Sequence, residues 1–274
     1  MEIIAGALSA SISKTITSPF EVIKIRLQLY KEGYNGFSDC LIKMTRDEGI
    51  NSLWKGNLIN CIRFFPTQMI NKQINGVVNE LLFPLGKKQY NYDQQFVRGL
   101  FAGGLAGSFT LIFTYPFDLL RTRLTMDGMD GQNKYEGLID CISKTYQEGG
   151  IKSFYKGIVL SMIGIIPYRY FYFVGYDLLK TLFLNSHSSF FLKFIIAQFN
   201  TIVAQILTYP LDTIRRYQMM GGYSDKFVET DFYHTFLQIV KHKGFFSLFD
   251  GCLINTIRSV GASIAIVAFE IISK

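Results

Sequence analysis

The chain repeats one short pattern three times: a proline, an acid two residues later and a base three residues after that. It reads "SPFEVIKIR" around Pro19, "YPFDLLRTR" around Pro116 and "YPLDTIRRY" around Pro210. The prolines stand 97 and 94 residues apart, so the 274 residues are three units laid end to end. A repeat on this scale outranks any local reading of secondary structure. Further matches keep the register. "YNGFSDC" at 34–40 and "EGINSLWKG" at 48–56 correspond to "YEGLIDC" at 135–141 and "EGGIKSFYKG" at 148–157. The third unit carries a worn copy, "FYHTFLQ" and "KGFFSLFDG", in which Lys243 and Asp250 exchange the usual signs.

Each unit therefore predicts an apolar helix ending near the proline, a loop, a short amphipathic helix, a glycine-bounded turn and a second apolar helix. The chain is 49% hydrophobic and 18% charged, too apolar for an ordinary soluble domain. Runs such as "FLKFIIAQFNTIVAQILTYP" are about as long as the roughly 20 residues that cross a bilayer. They also hold Gln, Asn, Tyr and Arg, so one face suits lipid and the other a polar interior. No alternating strand pattern is present, and backbone groups in lipid then require helices. The expected fold is an all-α membrane protein: six transmembrane helices in three pseudo-symmetric repeats around a central cavity, with three short helices on one side. The repeats run 1–92, 93–186 and 187–274 within one transmembrane domain.

Several functions are disfavoured. The net charge of +7 comes without a basic tract or an aromatic-interleaved surface, so no nucleic-acid partner is expected. Cys40, Cys61, Cys141 and Cys252 lack metal-ligand spacing and read as reduced structural thiols. His187, His234 and His242 have no serine or cysteine partner at a recognisable spacing, so no enzyme, metal or cofactor is expected. Nothing at the N-terminus reads as a cleavable signal, because Lys14 and Pro19 already belong to the first repeat.

Residues three apart share a helix face, so each motif stacks a carboxylate near a cation. If three such ends meet around a pseudo-threefold axis, Glu21, Asp118 and Asp212 face Lys24, Arg121 and Arg215 of neighbouring units and close one mouth of a cavity. As static surface pairs these would be worth little. Counting seven residues on from Gly56, Gly157 and Gly251 gives Arg63, Gly164 and Arg258, about two turns inside the second helix of each unit. An ionised side chain at such depth is costly and marks a functional site. Lys14 adds a third cation and Arg169 is a fourth candidate, serving either packing or a gate. No acid lies comparably deep, so the cluster reads as uncompensated and selects a polyanion. One third of the ring lacks charge and offers Gly164, Ile165 and Tyr168, a groove in which a flat base could stack on tyrosine.

Three copies of P-x-[DE]-x-x-[KR], each followed by a Gly-aromatic-basic-Gly turn, resemble the mitochondrial carrier family over nearly the whole chain. "SKT", "RFFPTQMIN", "GIIPYR" and "NTIRS" look like the corresponding parts of ADP/ATP carriers. The resemblance implies an antiporter that exchanges ADP and ATP by alternating access, with Lys14, Arg63, Gly164, Ile165, Tyr168 and Arg258 binding substrate. It also implies that the motif ring opens and closes as a matrix gate braced by Gln28, that cardiolipin is bound, and that the carrier works as a monomer. The place implied is a mitochondrial inner membrane or the membrane of a reduced mitochondrial organelle. Other readings are a carrier of AMP, coenzyme A or ATP-Mg and phosphate, and a proton-leak protein.

Two departures stand out. ADP/ATP carriers show three arginines and three methionines in a row where this chain has "RRYQMM", keeping Arg215, Arg216, Met219 and Met220 around Tyr217 and Gln218. The opposite, cytoplasmic gate is complete only as Tyr176, Asp177 and Lys180. Gly76 and Asn79 replace the acid and base of the first copy, and the third keeps Glu270 without its base, so that mouth is expected to close weakly.

Overall fold

A computed structural model describes residues 2–82, 91–129, 133–184, 189–223 and 231–261. Among them the chain is helical and no strand occurs. Five long helices are present: α1 (Glu2–Leu29), α3 (Asn57–Leu82), α4 (Tyr92–Met126), α6 (Ile158–Phe183) and α7 (Phe190–Met219). A sixth helical stretch begins at 252–261. Three short helices, α2 (Phe37–Asp47), α5 (Leu138–Gly149) and α8 (Phe232–Lys243), occupy equivalent places in the repeats.

The expectation that the odd helices end near their prolines is corrected. Pro19, Pro116 and Pro210 lie inside α1, α4 and α7, each of which continues nine or ten residues further. A proline removes one intrahelical hydrogen bond, yet residues beyond it such as Val22, Leu119 and Ile214 are buried, so tertiary packing carries the helix through. The motif acids therefore sit inside helices rather than at their ends.

The turn after each short helix is also repeated. A 3-10 turn spans Ile50–Trp54, Gly150–Tyr155 and Phe245–Phe249, flanked by glycines with left-handed backbone at Gly49 and Gly56, Gly150 and Gly157, Gly244 and Gly251. Two of these glycines also make a close approach. A Cβ on Gly56 would stand 3.2 Å from the carbonyl oxygen of Arg121, and one on Gly157 would stand 3.2 Å from that of Arg215. At Gly56 and Gly157 the turn is thus docked on the motif base of the next repeat, where only glycine fits.

The chain divides into two compact units. The first holds residues 1–66, 114–157 and 213–274, with the proline motifs of α1 and α4, all three short helices and the turns. Its core joins Ile25, Leu29, Ile59, Leu120, Met126 and Met220, and a second cluster joins Val22, Ile23 and Leu27 to Cys40, Met44 and Leu53. The second unit holds 67–113 and 158–212. There Ile74, Val78 and Leu82 of α3 pack on Ala102 and Ala106 of α4.

Exposed apolar stripes run along α4 at Val97, Phe101, Leu105, Phe109 and Phe113, and along α7 at Phe191, Ile195, Phe199 and Val203. At helical spacing such stripes suit lipid. Three stretches are long and apolar enough to cross a membrane: Val97–Met126, Leu138–Phe183, which includes a short helix, and Phe191–Met219.

Candidate functional site

In the first unit the motif residues and the deep cations meet. Glu21 of α1 accepts from Arg121 of α4, lies 3.2 Å from Arg258 and 3.6 Å from Lys14, and takes a 3.4 Å hydrogen bond from buried Asn60. Asp118 of α4 pairs with Arg63 of α3 at 2.5 Å and with Arg215 of α7 at 3.6 Å. Arg215 also stands over the ring of Tyr115 at 5.7 Å.

The reading of the deep cations as uncompensated is corrected: Lys14, Arg63 and Arg258 each reach a motif carboxylate. The cause is the run of helix past each proline, which puts Glu21 two turns after Lys14 on the same face instead of at a distant mouth. The compensation is shared. Lys14, Arg121 and Arg258 divide Glu21, and Arg63 and Arg215 divide Asp118, so five cations meet two carboxylates in these contacts. The Nε–H groups of Arg121 and Arg215 are buried with no acceptor among the described residues.

Lys24 is 7% exposed on α1, and Gln28, one turn on, donates to Thr213 at 2.7 Å, which itself donates to the carbonyl of Leu248. Asp212 is the motif acid of α7. Of the signature residues, Met219 and Met220 are fully buried, and Arg216 donates to Thr122 at 3.5 Å.

In the second unit, a Cβ on Gly164 of α6 would meet, among the described residues, only Leu211 of α7 at 4.0 Å, so the glycine admits no close neighbour there. Ile165 packs instead toward Gly107 of α4, and Tyr168 stacks on Tyr172 with ring centres 6.2 Å apart. Arg169 lies along Gly103 and Gly107 and has no carboxylate partner among the described residues. Tyr176, Asp177 and Lys180 occupy the last turns of α6, whereas Glu270 falls outside the described residues.

Sequence reasoning missed a second set of charges that joins the repeats. Arg26, seven residues after Pro19 and fully buried, is held by Glu48 and donates to the carbonyls of Thr125 and Asp127 at the end of α4. Lys55 joins it, 2.7 Å from Glu48 and 2.8 Å from the Asp127 carbonyl. One repeat on, Arg123 pairs with Glu148 at 2.8 Å and reaches the carbonyls of Met219 and Gly221 at the end of α7, with Lys156 also on Gly221. These side chains satisfy carbonyls that a helix end leaves without partners. Burial alone would raise the Glu48 carboxyl, but Arg26 and then Lys55 hold it below the usual range. The sequence signal was the base at the seventh place after Pro19 and Pro116, together with Glu48 and Glu148, the acids that open the turns of those two repeats.

Three repeats of long helix, short helix and glycine-bounded turn, with Glu21 paired to Arg121 and Asp118 to Arg215 across successive repeats, describe a repeat-built helical membrane protein, and the comparisons give its family. The family model described as mitochondrial carrier protein matches residues 1–84, 92–187 and 186–274; the chain belongs to the mitochondrial carrier family. Proteins of this family are transporters of the mitochondrial inner membrane, and this chain is a transporter rather than an enzyme. Among similar proteins, the mouse ADP/ATP translocase 4 is 36% identical over 285 residues, covering all of this chain and 89% of the relative. The mitochondrial substrate carrier family protein ancA of Dictyostelium discoideum is 34% identical over 98% of this chain and 91% of its own length. The ADP,ATP carrier protein of Parachlorella kessleri is 34% identical over all of this chain and 84% of its own.

Proposed function

We propose that this carrier exchanges ADP and ATP across the inner membrane of a mitochondrion or of a reduced mitochondrial organelle, by alternating access through six spans. The observation that carries the reading is the sharing of Glu21 and Asp118 by five cations. An entering polyphosphate competes with the two carboxylates for the same guanidinium and ammonium groups. Binding then loosens the contacts that join α1 to α4 and α4 to α7, so substrate supplies the free energy of opening. That coupling favours exchange over free passage. Full-length relatives bearing ADP/ATP names support the nucleotide as cargo.

In this scheme Lys14, Arg63 and Arg258 hold phosphates, while Gly164, Ile165 and Tyr168 receive the base. The motif residues with Gln28 form the matrix gate, and Tyr176, Asp177, Lys180 and Glu270 form the cytoplasmic one. Cardiolipin is the lipid partner and the working unit is a monomer. Purified carrier in liposomes loaded with ATP should take up labelled ADP faster than AMP, coenzyme A or phosphate, and Arg258→Ala should abolish uptake. Uptake of coenzyme A or phosphate alone, or an unaltered Arg258→Ala rate, would overturn the assignment.

A further inference from the structure

Pro19 stands inside α1 and has no N–H, so the carbonyl of Thr15, four residues back, receives no bond from the helix itself. In a bilayer such an acceptor needs a donor from elsewhere in the protein. Trp54, the single tryptophan of the chain, supplies it: its Nε1–H donates to the Thr15 carbonyl at 3.0 Å. Two more bonds join the same stretch of α1 to the same turn. Ser18 donates to the carbonyl of Leu53 at 3.4 Å, and Asn57 Nδ2 donates to Thr15 Oγ1 at 3.1 Å. All of these residues belong to the first unit.

The turn also holds α4. Lys55 reaches Glu48 and the carbonyl of Asp127, and Gly56 lies against the backbone of Arg121. Consecutive residues of one turn thus grip both α1 ahead of its proline and α4 of the next repeat. The gripped stretch of α1 carries Lys14 beside Thr15, and the Lys14 ammonium stands 3.6 Å from Glu21, beyond the proline. The indole is particular to this repeat. Two residues before Gly157 and Gly251 the equivalent places hold Tyr155, whose ring stacks on Tyr115 with centres 6.4 Å apart, and Phe249, which has no polar hydrogen to donate.

We propose that Trp54 is a positioning residue for Lys14: by capping the carbonyl that Pro19 frees, it stiffens α1 at the proline and fixes where the Lys14 ammonium stands. The effect on substrate rests on the nucleotide reading above; the stiffening does not. Two measurements separate them. Deuterium uptake by purified carrier in detergent reads the helix alone. Protection of the amides at 11–18 should fall about fivefold in Trp54→Phe, which keeps an aromatic ring without the N–H. Phe249→Leu should leave these amides as they are. In Pro19→Ala the helix regains its own N–H for Thr15, so adding Trp54→Phe there should change protection little. In ATP-loaded liposomes the KM for labelled ADP should rise about fivefold in Trp54→Phe, with the maximal rate within about twofold of wild type. Trp54→His, which retains a ring N–H, should recover part of both effects. Should the phenylalanine variant assemble poorly, Trp54→Tyr makes the same comparison. Unchanged protection in Trp54→Phe, or an equal loss in the Pro19→Ala background, overturns the cap. A lower maximal rate at an unchanged KM reduces Trp54 to packing and overturns the positioning role. A wild-type carrier that exchanges no nucleotide overturns the functional reading, and the deuterium measurement then decides the cap alone.

Discussion

The first two repeats and the third solve one problem with opposite chemistry. In repeats one and two a buried arginine, Arg26 or Arg123, reaches the carbonyls that end the next odd helix and is neutralised by the acid that opens its own turn. In repeat three the same place holds Tyr217, whose hydroxyl donates to the carbonyl of Leu29 at 3.1 Å and so caps α1 without a charge. With no guanidinium to neutralise, an acid at 243 would be a buried liability. Lys243 stands there instead, its ammonium 5.6 Å above the Tyr217 ring. The last member inverts too. Lys55 and Lys156 donate to backbone carbonyls, whereas Asp250 can only accept, and Lys31 supplies the donor at 2.6 Å. The three links share a geometry while differing in sign, which shows that helix-end carbonyls need a donor but not a cation.

The sharpest way to break this comparison is to remove the acids. Glu48→Ala leaves Arg26 buried and unpaired, and Glu148→Ala does the same to Arg123, at about 3–5 kcal/mol each. Lys243→Ala, which removes a cation from a ring face, should cost about 1 kcal/mol. Unfolding temperatures in detergent check the order, and equal losses would show that the tyrosine link is as charged in effect as the other two.

A smaller effect comes from rebuilding the third link. Tyr217→Arg alone sets a guanidinium beside Lys243 and should destabilise by about 2 kcal/mol, within the range of coupled neighbours. Adding Lys243→Glu should recover most of that. A double variant no better than Tyr217→Arg alone would mean that the third site is shaped for tyrosine in a way that charge does not describe.

The smallest effect is in pH. Glu48 is held below its ordinary range, so its contribution is complete above roughly pH 4.3 and is lost as pH falls further, through its folded-state value. The link of repeat three that replaces this pair is a ring contact between Lys243 and Tyr217. Unfolding temperature measured downward from pH 6 should therefore drop more for wild type than for Glu48→Gln. Parallel curves would detach acid sensitivity from this link.

Much of the architecture was legible because it is written three times. The short helices, the glycine-bounded turns and the motif acids and bases all followed from register, since Gly49, Gly150 and Gly244 share a left-handed backbone for one geometric reason. Helix length past the prolines was not legible, because local propensity favours a stop there and only burial of residues such as Leu29 and Met126 overrides it. That one error displaced Glu21 outward and made Lys14 and Arg258 look unpaired. Arg26 and Arg123 escaped notice for a different reason: a base beside a motif base reads as ordinary surface charge until the fold buries it.

The inverted link also constrains ancestry. Residues 217, 243 and 250, with Lys31 opposite them, form a set in which a lone change from the other repeats' pattern opposes like charges or strands an acid. Lineages that part at one of these places should part at the others together, and an alignment of near kin ought to show them inherited as a block.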